Sequence, residues 1–175
     1  MFAFKGDVYV GLQAQEFKKK DVTYANKHLR ILSGLYGLLR PMDKIQPYRL
    51  EMGTSIKVGR KKNLYEFWGN KIADQLQESL SKHKNKSIIN LASNEYFKAV
   101  KLDELKDQII EVGFKEYRDG KLKFVSFNAK KARGLMSQYI IKNRISTLDG
   151  IKAFHLEDYA FDESLSSENH LMFTR

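Results

Sequence analysis

The chain has no cysteine, which excludes disulfide staples, zinc-thiolate sites and a cysteine nucleophile, and is compatible with a reducing compartment. Only two prolines occur, Pro41 and Pro47, so backbone positions fixed by a ring are confined to one short connection. The four histidines, His28, His83, His155 and His170, stand far apart with no ligand spacing, and no metal site is expected. No apolar run approaches the length of a membrane span. Residues 1–17 lack the order of charged, apolar and small residues that marks a secretory signal. The expectation is a cytoplasmic protein with no membrane partner, and no cofactor-binding motif is present.

What the chain does have is charge. Thirty-one Lys and Arg against 21 Asp and Glu give a net charge of +10 over 175 residues, which favours nucleic acid, another polyanion or an acidic surface as partner. The distribution is uneven. Residues 120–148 carry seven Lys or Arg and no acid, while 155–168 carry five acids and no Lys or Arg. The length suits one domain, able to bury a core without staples. No internal repeat or low-complexity tract is visible.

The most apolar stretch, residues 29–41, breaks at Gly34 and Gly37 and predicts a buried strand feeding a tight turn. Before it, 17–29 has helical spacing with Asp21 as N-cap. After it, Asn63 is placed to cap a helix over 64–83, on which Trp68, Ile72, Leu76 and Leu80 form one apolar face. Residues 87–93 predict a strand, followed by a short helix over 95–100 capped by Ser93 or Asn94. Asp119-Gly120 between the β-rich runs 108–117 and 121–127 predicts a hairpin. Residues 129–144 and 146–153 predict helices, and 159–162 and 170–173 predict strands. The fold class expected is α/β with some α+β character, a mixed sheet flanked by helices in a single domain over 1–175.

On the helix at 129–144, a turn of about 100° per residue gathers Lys130, Arg133, Ser137 and Arg144 within a sector of roughly 60°. Such a stripe can follow a sugar-phosphate backbone, with Gly134 removing bulk where a ligand approaches. Lys5 beside Gly6 and Asp7 suits a phosphate contact. Arg40 and Arg49, in the proline-bracketed connection, suit bidentate phosphate contact. The ordinary alternatives are a solvated helix face, a plain turn at 5–9, and local pairing of Arg49 with Glu51. A second chemistry, an enzyme acting on nucleic acid or a nucleotide, would use Asp7, Glu51 or Glu95 as acid or base, although no triad or phosphate loop identifies a reaction. Asn90 could orient a base or sugar at the end of its strand.

Several motifs occur in one order: Lys5-Gly6-Asp7-Val8-Tyr9, Leu32-Ser33-Gly34-Leu35-Tyr36-Gly37, Arg40-Pro41, Pro47-Tyr48-Arg49-Leu50-Glu51-Met52, Asn90-Leu91-Ala92-Ser93 and Lys130-Lys131-Ala132-Arg133-Gly134. Phe67-Trp68-Gly69 and Phe161-Asp162-Glu163 add to them. Together they closely resemble the YaaA peroxide-stress family. The resemblance implies a family-specific α/β fold, binding of duplex or structured DNA through a basic cleft, and protection during hydrogen peroxide stress by limiting free intracellular iron. Whether the chain is an enzyme stays open, a non-enzyme being favoured. On this resemblance and the acid-free basic window, Lys5, Arg40, Arg49, Lys130, Lys131 and Arg133 are the expected DNA contacts, and a monomer is expected. A usual member also opens with a strand carrying Ser-Pro-Ala-Lys and with helices that include a DNA-binding hairpin, for which no counterpart precedes Met1. Gly34-Leu35-Tyr36-Gly37 is similar to such a hairpin only in part, because its glycine spacing is longer by one residue and Pro41 follows closely.

Overall fold

The computed structural model describes residues 1–101 and 105–175. The chain is α/β and divides into two compact units. The first comprises Met1, Leu29–Ile88 and Ala92–Ile109, and the second Phe2–His28, Ile89–Leu91 and Ile110–Arg175.

In the first unit the apolar run folds as a two-stranded hairpin, β1 (Ile31–Ser33) and β2 (Gly37–Leu39), with Ile31 opposite Leu39. The buried strand and tight turn are as expected; the apolar residues after the turn supply the second strand. Trp68 packs over this corner. Its Nε1 donates to the Gly34 carbonyl at 3.0 Å, and a Cβ on Gly37 would meet its ring at 2.7 Å. The helix expected over 64–83 is two helices, α3 (Leu64–Trp68) and α4 (Lys71–Ser81). Gly69 separates them at φ 52 and ψ −124, a positive-φ conformation that favours glycine and ends α3. Asn63 caps α3 as expected, its side chain accepting from the Glu66 N–H at 2.9 Å. Ile72 and Leu76 are buried with Met52, Leu64, Leu105 and Ile109 in a core of the unit's own.

After β3 (Ile88–Asn90), the short helix α5 (Asn94–Phe97) begins at Ser93, but no side chain caps it. The Glu95 carboxylate instead accepts the Gly53 N–H at 2.8 Å, tying α5 to a loop.

The second unit is built on β4 (Ile109–Arg118), β5 (Lys121–Lys123), β6 (Ala160–Phe161) and β7 (His170–Thr174). Strand order is β3-β4-β7-β6, with β5 paired to β4. β4 and β7 run parallel, Val112 opposite Leu171 and Phe114 opposite Phe173, while β6 is antiparallel to β7. Alternate residues of β4, Ile110, Val112 and Phe114, enter the core with Leu171, Phe173, Phe154 and Tyr159. Each fully buried phenylalanine contributes about 2 kcal/mol relative to exposure. At the next inward position stands Glu116, which accepts from the Tyr159 hydroxyl at 2.9 Å and pairs with Arg175 at 2.9 Å and Arg118 at 3.1 Å. A buried carboxylate is tolerated there because its oxygens are satisfied.

The long helix α6 (Ser126–Asn143) lies on this core through Ala129, Ala132 and Met136. Three further helices complete the unit: α1 (Asp7–Leu12), α2 (Lys19–His28) and α7 (Leu148–Lys152). Asp21 is not the N-cap of α2 but sits inside its first turn and reaches back to accept the Lys18 N–H at 3.0 Å. That is the reciprocal half of a capping box, which N-cap reasoning from residue type alone displaces by three positions.

Candidate nucleic-acid interface

The acid-free window folds as the β5 strand, the first helix of the window, α6, and the connection into α7. α1 lies against α6 at two glycines. A Cβ on Gly134 would collide with the Val8 carbonyl, and one on Gly11 with the Lys131 carbonyl. Gly134 therefore makes room for a helix of the same chain, not for a ligand, and the expectation of an open approach there is corrected. Gln138 secures the crossing by donating to the Leu12 carbonyl at 3.3 Å and the Gln13 side chain at 2.7 Å.

The cations of α6 have different surroundings. Lys130 is exposed, with its Nζ 3.9 Å from Asp7 at the start of α1. Lys131 forms an ion pair with Glu157. Lys142 pairs with Glu16 at 2.9 Å. Arg144 pairs with the buried Asp21 at 2.7 Å and lies over the Tyr24 ring, 4.6 Å from its centroid. The hydrogen bond from Arg144 holds the Asp21 carboxyl below its ordinary range. Ser137, expected on the basic stripe, is buried, and its hydroxyl donates to the Arg133 carbonyl at 3.0 Å.

Arg133 is half-buried, and its Nε is a buried donor with no hydrogen-bond partner among the described residues. Burial lowers its pKa from the ordinary arginine value, and the charge of Glu111 on β4 opposes the shift. Glu111 accepts from the Asn90 side chain at 2.8 Å. The three residues come from β3, β4 and α6, and no local sequence signal links them. Sequence reasoning names Asn90 and Arg133 but does not find Glu111. An unsatisfied buried guanidinium donor is uncommon in a folded chain.

Lys5 is exposed ahead of α1, where Gly6 occupies the N-cap position and Asp7 the first turn. The reading of 5–9 as a plain turn gives way to a helix start. Arg40 and Arg49 belong to the first unit. Arg49 is exposed, whereas Arg40 is held by Asp43, with Nε and NH2 each 3.1 Å from Oδ1. Of the candidate acids, Glu51 is exposed in the first unit and Glu95 is bound to the Gly53 amide. Asp7 lies in the second unit beside Lys130.

Among the described residues no three His, Asp or Glu side chains gather to hold a metal, and no helix is long and apolar enough to cross a membrane. Residues 1–165 match the family described as "Peroxide stress protein YaaA". A UPF0246 protein of Saccharophagus degradans is 54% identical over 175 residues, which is all of this chain and 68% of that protein.

Proposed function

Since this chain belongs to the family of the peroxide stress protein YaaA, we propose that it binds DNA, duplex or structured, with low sequence specificity during hydrogen peroxide stress. The observation that carries the reading is Arg133, a half-buried arginine with an unsatisfied Nε on a helix whose neighbouring Lys130 is exposed. A phosphate oxygen would satisfy the donor, and the charge-assisted bond would recover part of what burial costs. Lys5 ahead of α1 and Lys131, exchanging Glu157 for a phosphate, extend the cationic surface of this unit. Arg40 and Arg49 are proposed as phosphate contacts of the first unit, Arg40 by giving up part of its grip on Asp43.

The proposed setting is the cytoplasm. The role includes limiting free intracellular iron, as the family resemblance implies, and the chain is taken as a monomer. Sequence-independent binding of this kind draws its free energy from counterion release, so log K should fall linearly with log salt concentration. The test is a salt titration of duplex binding by fluorescence anisotropy. A steep negative slope supports the reading, and no binding even at low ionic strength overturns it. Chelatable iron in peroxide-challenged cells with and without the protein tests the iron role.

A further inference from the structure

The acid-rich window, 155–168, meets the acid-free window, 120–148, at the Glu157 carboxylate. Its Oε1 pairs with Lys131 on α6, and its Oε2 lies 3.7 Å from the Arg175 guanidinium, just beyond β7. Two cations from separate elements thus converge on one side chain. The meeting point is open to solvent, with 39% of the Glu157 side chain exposed, 30% of Lys131 and 24% of Arg175.

Arg175 is held in place independently of Glu157. Its Nη2 pairs with the buried Glu116 at 2.9 Å, and its guanidinium lies over the buried Tyr159 ring, 4.6 Å from the centroid. Tyr159 itself donates to Glu116 at 2.9 Å. The Arg175 backbone continues the sheet, its carbonyl accepting from the Tyr117 N–H at 2.7 Å and its amide donating to the Lys115 carbonyl at 3.3 Å. That leaves Nη1 facing Glu157, where it also donates to the backbone carbonyl at 3.2 Å. A guanidinium so anchored loses little freedom in taking a new acceptor.

The present acceptor is less comfortable. Glu157 sits at φ 51 and ψ 46, and Asp158 after it at φ 62, two consecutive left-handed residues of which neither is glycine. Each crowds its Cβ against the following carbonyl. A phosphodiester carries the same single charge on a pair of oxygens without that backbone strain, and a part-exposed ion pair resists exchange only weakly. We infer that Lys131 and Arg175 form a phosphate site which Glu157 fills as an internal stand-in, so that the acid competes with the ligand. This rests on the proposed DNA contact at Lys131, and adds Arg175 as a second contact and Glu157 as a brake on binding.

The test uses the full chain with two probes, a labelled duplex followed by anisotropy and inorganic tripolyphosphate followed by calorimetry, which separate a nucleic-acid backbone from a free phosphate chain as the source. Glu157→Gln keeps the side-chain shape and removes the charge, and should tighten binding of both probes about fivefold. Asp158→Asn makes the same charge change on the adjacent residue and should alter binding less than about twofold. In the Lys131→Gln background the gain from Glu157→Gln should shrink, the coupling that direct competition requires. Arg175→Lys keeps a charge for Glu116 but gives up the second nitrogen, and should weaken binding about threefold. Equal affinities for the parent and Glu157→Gln, or equal gains from Glu157→Gln and Asp158→Asn, overturn the stand-in, while duplex binding by the parent leaves the proposed function standing. Unchanged binding in Arg175→Lys removes Arg175 from the site and overturns the inference. Tripolyphosphate bound more tightly by Glu157→Gln, with no duplex binding by any variant, keeps the site and overturns the DNA reading. Binding of neither probe at low salt overturns both. A lowered thermal midpoint in Glu157→Gln with unchanged affinities assigns the pair to holding the turn against α6 and overturns the brake.

Discussion

Along α6, Lys142 and Arg144 near its C-terminal end are engaged with acids from the start of the same unit, Glu16 at 2.9 Å and Asp21 at 2.7 Å. Towards the N-terminal end, Lys130 stands 3.9 Å from Asp7, and Arg133 keeps a buried Nε with no partner among the described residues. Between them lies Gly134, where α1 crosses. Arg144 falls on the same helical stripe as Lys130 and Arg133, so periodicity cannot separate it from them. What separates them is which other segment folds against each. Cations that fasten α2 and the segment before it belong to the fold, and Lys130 and Arg133 are the ones the proposed DNA contact would use.

The largest effect is expected at the crossing that divides the helix. Gly134→Val would drive a branched side chain into the Val8 carbonyl and the Leu12 amide, so α1 must leave α6. A loss of about 3 kcal/mol or more is expected in chemical denaturation, and a variant as stable as the parent would refute the close packing.

Next is the ligand side of the comparison. Lys130→Gln together with Arg133→Gln should weaken duplex binding on the order of 100-fold at low salt and reduce the salt slope by about 2, with the fold retained. The same neutralisation as Arg144→Gln should leave the slope unchanged and lower the thermal midpoint.

Acid titration sharpens the structural side. The Asp21 carboxyl is held below its ordinary range by the Arg144 hydrogen bond, so its contribution is full at neutral pH. It is lost as pH falls below about 4 and passes through the lowered folded value. Denaturation midpoints followed down in pH should fall for the parent and fall less for Asp21→Asn; parallel curves would remove the pair from the account. The smallest effect lies in the other unit. Asn63→Ala removes the cap of α3 and should cost about 1 kcal/mol with no change in DNA affinity.

Local chemistry was legible wherever one residue decides the geometry. Asp119-Gly120 announced its hairpin, Asn63 its cap, and the spacing of Ala132 and Met136 the buried face of α6. The break at Gly69 was not read, because a single glycine inside a helical pattern is ambiguous until its φ is known. Nor was the fate of Gly134. A glycine on a basic helix looks the same whether a ligand or a second helix fills the space, and Gly11, its counterpart, lies more than a hundred residues away. The Asn90–Glu111 bond and the Asp21–Arg144 pair were hidden for the same reason, since both are products of tertiary pairing.

The most direct test is the salt dependence of duplex binding measured side by side for the parent, the Lys130→Gln and Arg133→Gln double variant, and Arg144→Gln. The account predicts a slope reduced by about 2 in the double variant alone. Equal slopes for all three, or a slope reduced only by Arg144→Gln, would contradict the division of α6 into a ligand-facing and a structural end.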